Sequence, residues 1–158
     1  MKSTNTTQKT KAPSSYKPPL DALKLPSWLR VLSLLVSIGL AATLLVARSL
    51  SPSEAGIGTH QQLGLPPCTS IVLWNSPCPA CGMTTSWAWF TRGQLLIAAK
   101  TNVGGTLLAI IALAYIPAGC YFCFVGRTSF KERFSLGLAA SLILAILLAI
   151  VQWYFRMQ

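Results

Sequence analysis

The stretch MTTSWAWFTRGQLLIAA, residues 83–99, decides the fold. It is apolar enough to be taken for a membrane span, and counting it or not changes which side every later loop falls on. Arg92 and Gly93 stand at its centre. An arginine at the middle of a spanning helix costs about 2.5–3.5 kcal/mol on insertion scales, and glycine weakens the helix further. Only Lys100, Thr101 and Asn102 would then remain to turn the chain into the apolar run that follows. A short amphipathic helix, lying in the interface or re-entrant, accounts better for these residues. Trp87, Phe90, Leu95 and Ile97 would face lipid or neighbouring helices, while Arg92 meets headgroups or backbone carbonyls.

On either side of this stretch the chain reads as membrane spans. Residues 103–125 are apolar throughout, and so are 134–155, ending in Trp153 and Tyr154 at the level of an aromatic belt. A third run, 27–49, has Trp28 and Arg30 at one end and Arg48 at the other. It exceeds the 7–15-residue core of a signal peptide and follows a long leader, so an uncleaved anchor helix is expected. Residues 1–26 form a basic tail rich in Ser, Thr, Lys and Pro, which predicts disorder. Residues 27–158 then make one membrane domain. The composition agrees: 53% of the 158 residues are hydrophobic and 10% charged, against roughly 25% charged in soluble domains.

The net charge of +10 reflects thirteen Lys and Arg against three acidic residues. The basic residues are scattered in tails and loops with no interleaved aromatic platform, which argues for membrane topology and against nucleic acid. They crowd the tail before the first span and the loop 126–133, and are sparse over 50–102. The positive-inside rule therefore places the N-terminus in the cytoplasm and residues 50–102 outside.

That outer segment holds the chemistry. Cys78-Pro79-Ala80-Cys81-Gly82 puts two thiols two residues apart, with Cys68 ten residues upstream and the lone histidine, His60, before it. Ile71 to Trp74 read as a short strand or interfacial loop. Thr84 or Thr85 is placed to cap the helix that follows, with Cys81 near its N-terminus, where the helix dipole favours thiolate. Three uses fit the cluster, and the residues leave the choice open. Cys68, Cys78, Cys81 and His60 form a Cys₃His set suited to tetrahedral zinc, structural rather than catalytic. The CPAC pair could exchange disulfides, with Cys68 as resolving partner. A structural disulfide or plain packing is the third use, although three cysteines leave one unpaired. His60, taken alone, is more often a hydrogen-bonded interfacial residue than a ligand. Asn102 reads as a cap, with a second option of bonding the outer loop. Cys120 and Cys123, near the opposite membrane face, read as packing residues or palmitoylation sites.

These elements together resemble a family of small bacterial membrane proteins, DUF2752. Its pattern of a leading Cys, CPxCG-x-T-R, an R-G pair and an Asn opening a helix is met here by Cys68, Cys78 to Gly82, Thr84, Arg92-Gly93 and Asn102. The lead GTHQQLGLPPC, residues 58–68, is similar to that of planctomycete-type members. Thr85 stands where many members have Arg, so no role of that arginine carries over. The resemblance implies an integral protein of a bacterial inner membrane whose Cys68, Cys78, Cys81, Thr84, Arg92 and Asn102 form one site, with Gly82 and Gly93 as further motif residues, without implying an activity.

The expected architecture is an all-α membrane protein: three transmembrane helices and a short interfacial or re-entrant helix after a Cys-rich loop. Its partners are the lipid bilayer and, for a scaffold or accessory subunit, another membrane protein. One histidine and three acids offer little for general acid–base catalysis, which weighs against an enzyme.

Overall fold

The computed structural model describes residues 26–125 and 131–158. The basic tail, apart from Pro26, and most of the loop over 126–133 lie outside the described residues. Among the described residues all regular structure is helical: α1 (Ser27–Ser49), a 3₁₀ turn (Thr59–Leu63), α2 (Thr69–Trp74), α3 (Met83–Phe90), α4 (Leu95–Thr101), α5 (Val103–Val125) and α6 (Lys131–Met157). Three helices are long and apolar enough to cross a membrane, over Ser27–Ser49, Val103–Val125 and Leu136–Met157. The first two coincide with the expected spans; the third is shifted by two residues. At 1.5 Å per residue, 23 residues cover about 35 Å, enough for a hydrocarbon core of about 30 Å.

Helix α5 is the centre of the molecule, with α1 on one side and α6 on the other. Among the described residues α1 and α6 do not pack on each other. Both crossings use small residues, as expected where lipid removes the hydrophobic drive and close van der Waals contact must replace it. Gly119 lies against Ser33 and Ser37 of α1, and a side chain there would collide with both. Gly104 lies against Ala145 and Ala149 of α6 in the same way. Ser37 bonds its own helix at the Ser33 carbonyl, 2.9 Å away, so its burial leaves no orphaned hydroxyl. Arg30 donates to the carbonyls of Cys123 (2.7 Å) and Phe124 (3.3 Å), closing the C-terminal end of α5 with a cation where the dipole is negative.

The stretch over 83–99 does not span. It is also not one helix but two. Gly93, at φ +78°, turns the chain between α3 and α4. Helix α3 lies across the N-terminal end of α5 and the C-terminal end of α1. Its start at Met83 and Ser86 meets Gly105, and beyond its end Arg92 donates to the carbonyl of Leu50, the residue after α1, at 2.7 Å. Arg92 also bonds Ala88 at 2.8 Å, so its partners are backbone carbonyls of the protein. Trp87 and Phe90 point inward against a core of Leu44, Ala109 and Ala112, and the Trp87 indole donates to Gly105 at 2.8 Å. Leu95 and Ile97 on α4 remain exposed. Arg92 locks this pair of short helices to α1.

Residues 71–74 depart from the expectation of a strand or loop: they belong to helix α2. The six residues of this helix advance the chain about 9 Å, where a strand of that length would carry it about 20 Å. Asn75, in the left-handed region at φ 49°, ends it, and Ser70 Oγ donates to Ser76 O at 2.9 Å. This compact reversal brings Cys78 back beside Cys68.

Candidate metal centre

Cys78 and Cys81 are brought together by a tight turn in which the Cys81 amide donates to the Cys78 carbonyl at 3.0 Å. Gly82 follows at φ +87°, a left-handed conformation that side chains resist, and it also sits against the Gly56 carbonyl, 2.7 Å from where a Cβ would lie. This glycine, with no side-chain hydrogen bond, occupies the N-cap of α3, so neither Thr84 nor Thr85 caps the helix as expected. Cys81 does stand just before the helix. Thr84 lines the cavity in front of the thiols. Thr85 turns inward to share a buried 2.8 Å hydrogen bond with Thr59, whose oxygen also accepts from the Ser53 amide at 3.0 Å. This pair ties the 3₁₀ turn to α3.

The three sulfurs converge. Cys68 Sγ is 3.6 Å from Cys78 Sγ, Cys78 Sγ is 3.4 Å from Cys81 Sγ, and all three lie within 4.8 Å of one another. Around a tetrahedral ion with metal–sulfur bonds of 2.3 Å, neighbouring sulfurs stand about 3.8 Å apart. The trio therefore approximates three corners of such a tetrahedron. A cavity of about 740 Å³ opens in front of it, and His60 is on its wall.

His60 is not within the sulfur cluster. Its Nε2 lies 3.2 Å from Pro66 O. Because a carbonyl can only accept, Nε2 is the donor in this bond. Cys120 and Cys123 are far along α5, at the end opposite the cluster.

The thiols differ in acidity. Cys68 is drawn down from 9.0 to about 7, first by a hydrogen bond from Cys81 and then by the amides at the start of α2, against a smaller opposing effect of desolvation. Burial pushes Cys81 up to about 12, and its hydrogen bonds to Cys78 and Cys68 hold the proton in place. Cys68 is therefore the more acidic of these two thiols.

Behind the thiols, alternate carbonyls of the Cys loop are held by the membrane helices. Trp153 of α6 donates to Pro77 O at 2.6 Å. Asn102, 1% exposed, donates to Pro79 O at 3.1 Å and Cys81 O at 3.2 Å. Its Oδ1 accepts from the Gly105 amide at 2.7 Å, so Asn102 caps α5 and bonds the Cys loop at once. Arg156 reaches Cys81 O at 3.5 Å and also bonds the carbonyls of Lys100 and Thr101. Gln152 accepts from the Val103 amide at 2.6 Å. Sequence reasoning missed Thr59, Gln152 and Arg156 and read Trp153 only as a belt residue. The available signal was polarity at the end of a span: Gln152 and Arg156 stand in the last turns of an otherwise apolar helix.

Residues 68–116 match the family described as "Protein of unknown function (DUF2752)". The matched segment begins at Cys68 and holds all three converging thiols, Asn102 and the first half of α5, while α1 and α6 lie outside it. No curated protein and no solved structure matches the chain.

Proposed function

We propose that this DUF2752 chain is a multi-pass membrane protein whose Cys68, Cys78 and Cys81 hold one structural zinc ion. The observation that carries the reading is the convergence of three sulfurs within 4.8 Å at spacings close to a tetrahedral edge. The ion's role is to staple: it would join the lead to α2, through Cys68, to the turn that starts α3, through Cys78 and Cys81. A disulfide would use two of the three thiols and leave the third beside it. Zinc uses all three and takes up the negative charge that forms when they deprotonate. His60 stands outside the sulfur cluster but on the wall of the same cavity, and in this reading it is the fourth ligand once the ion draws its ring toward the thiols. Its Nε2–H on Pro66 O resembles the bond to a backbone carbonyl that orients the ring of ligating histidines. Lipid surrounds the three long helices, and the Lys and Arg distribution puts the N-terminus in the cytoplasm and the thiol site outside.

The test is zinc content and thiol count on protein purified without reductant. One zinc per chain, with three thiols becoming reactive after chelation, is the expected result. A Cys78–Cys81 disulfide without metal would refute it. That outcome favours a second reading, thiol–disulfide exchange, for which the low pKa of Cys68 is the supporting feature. Reaction of Cys78 with an impermeant maleimide only after lysis would reverse the proposed orientation.

A further inference from the structure

The carbonyls of Pro77, Pro79 and Cys81 alternate along the Cys loop, and each accepts from a side chain of a membrane helix: Trp153, Asn102, and Asn102 with Arg156. Cys78 and Cys81 themselves send their sulfurs to the other side, toward Cys68 and the cavity. Two of the donors, Trp153 and Arg156, come from α6, which the family segment does not include. Helix α6 is seated by the close crossing of Gly104 with Ala145 and Ala149, and Ser76 Oγ meets Met157 Sδ at 2.9 Å in its last turn.

We propose that Trp153 and Arg156 are positioning residues for the thiol site, and that the docking of α6 on the Cys loop sets the site's affinity for its ion. The inference deepens the reading of the thiols as a metal site and rests on it. The physical reason is preorganisation. A turn whose carbonyls are fixed from behind cannot rotate its sulfurs apart, so the ion does not have to order the loop when it binds. The indole contributes one donor of fixed direction. The guanidinium contributes several and gathers the carbonyls of Cys81, Lys100 and Thr101 from the loop and the end of α4 onto one group.

The experiment measures binding of two probes to the full chain in detergent, zinc by chelator competition and arsenite by direct titration. Arsenic(III) takes three thiolates and needs no fourth protein ligand, so it reports thiol convergence even in a protein that holds no zinc. Trp153→Phe removes the N–H and keeps the ring, and Arg156→Met removes the donors and keeps the stem. Each is expected to weaken both probes about tenfold, the lower end of the loss seen when outer-shell partners are removed. Arg156→Lys should recover most of the affinity. Affinity is read well below the thermal transition, where a residue that only stabilises α6 lowers the melting temperature and leaves binding unchanged. Both probes staying within about threefold of the wild type in Trp153→Phe and Arg156→Met would overturn the proposal. A wild type that binds arsenite but not zinc refutes the zinc reading alone, and the arsenite series still judges the positioning role. A wild type that binds neither refutes both.

Discussion

Replacing Asn102 by Asp changes one atom group and should separate the two jobs of this buried side chain. Oδ1 of Asn102 accepts from the Gly105 amide at 2.7 Å, and an aspartate oxygen can do the same, so the cap of α5 survives. Nδ2 donates to Pro79 O and Cys81 O, and a carboxylate oxygen has no proton to offer either carbonyl. Two neutral hydrogen bonds are worth about 1 kcal/mol each net, and the facing of three acceptors at a site 1% exposed adds a desolvation cost of about 1 kcal/mol or more. The loss falls on the Cys loop and comes to about 3 kcal/mol, or roughly a hundredfold in zinc affinity. Asn102→Ala loses the cap as well, a further cost of about 1 kcal/mol, and should lower helix stability too. Chelator competition gives the affinity, and circular dichroism with thermal melting in detergent gives the helix. Zinc affinity in Asn102→Asp equal to that of the wild type would refute the reasoning that this side chain holds the thiol turn in place.

Three further outcomes are expected. Gly82→Ala forces a side chain into φ +87° and within 2.7 Å of the Gly56 carbonyl. It should cost more than the roughly 1–2 kcal/mol of the left-handed conformation alone, visible as a lower melting temperature and lost metal. Thr59→Val should be more damaging than Thr85→Val, because Thr59 serves both Thr85 and the Ser53 amide whereas Thr85 retains no such second role. Thermal melts of the two variants test the order, with about 1 kcal/mol expected for Thr85→Val. Alkylation of metal-free protein should follow a titration near pH 7 at Cys68, while Cys81 stays unreactive until far higher pH, read by mass spectrometry. The linkage signs are opposite. The lowered pKa of Cys68 contributes stability above pH 9.0 that is lost as pH falls through about 7, and the raised pKa of Cys81 contributes stability below pH 9.0 that is lost as pH rises through about 12.

The long helices were legible because lipid is a demanding solvent. Every backbone group must be bonded within the segment, so an uninterrupted apolar run has one outcome, and α1 and α5 fall where the runs fall. Arg92 was equally informative: its charge excluded a fourth span, and it is found bonded to Leu50 and Ala88. The short elements between the spans were harder. Ile71 to Trp74 has the β-branched and aromatic content of a strand, yet with no strand among the described residues to pair with, its amides are satisfied locally as helix α2. Thr84 and Thr85 looked like caps by position, but Gly82 starts α3 because the chain must pass close to Gly56 there, and that proximity comes from a part of the chain 26 residues away.

Residue type and spacing were enough to establish three membrane helices, a thiol pair in a turn ahead of a helix, and Asn102 at the head of α5. These depend on local bonding rules and on the solvent. The meeting of Cys68 with Cys78 and Cys81, the standing of His60 outside that cluster, and the hold of Trp153 and Arg156 on the loop were decided only by tertiary structure. They join residues as many as 76 positions apart, and which carbonyl meets which donor depends on how closely α6 can approach α5 at Gly104.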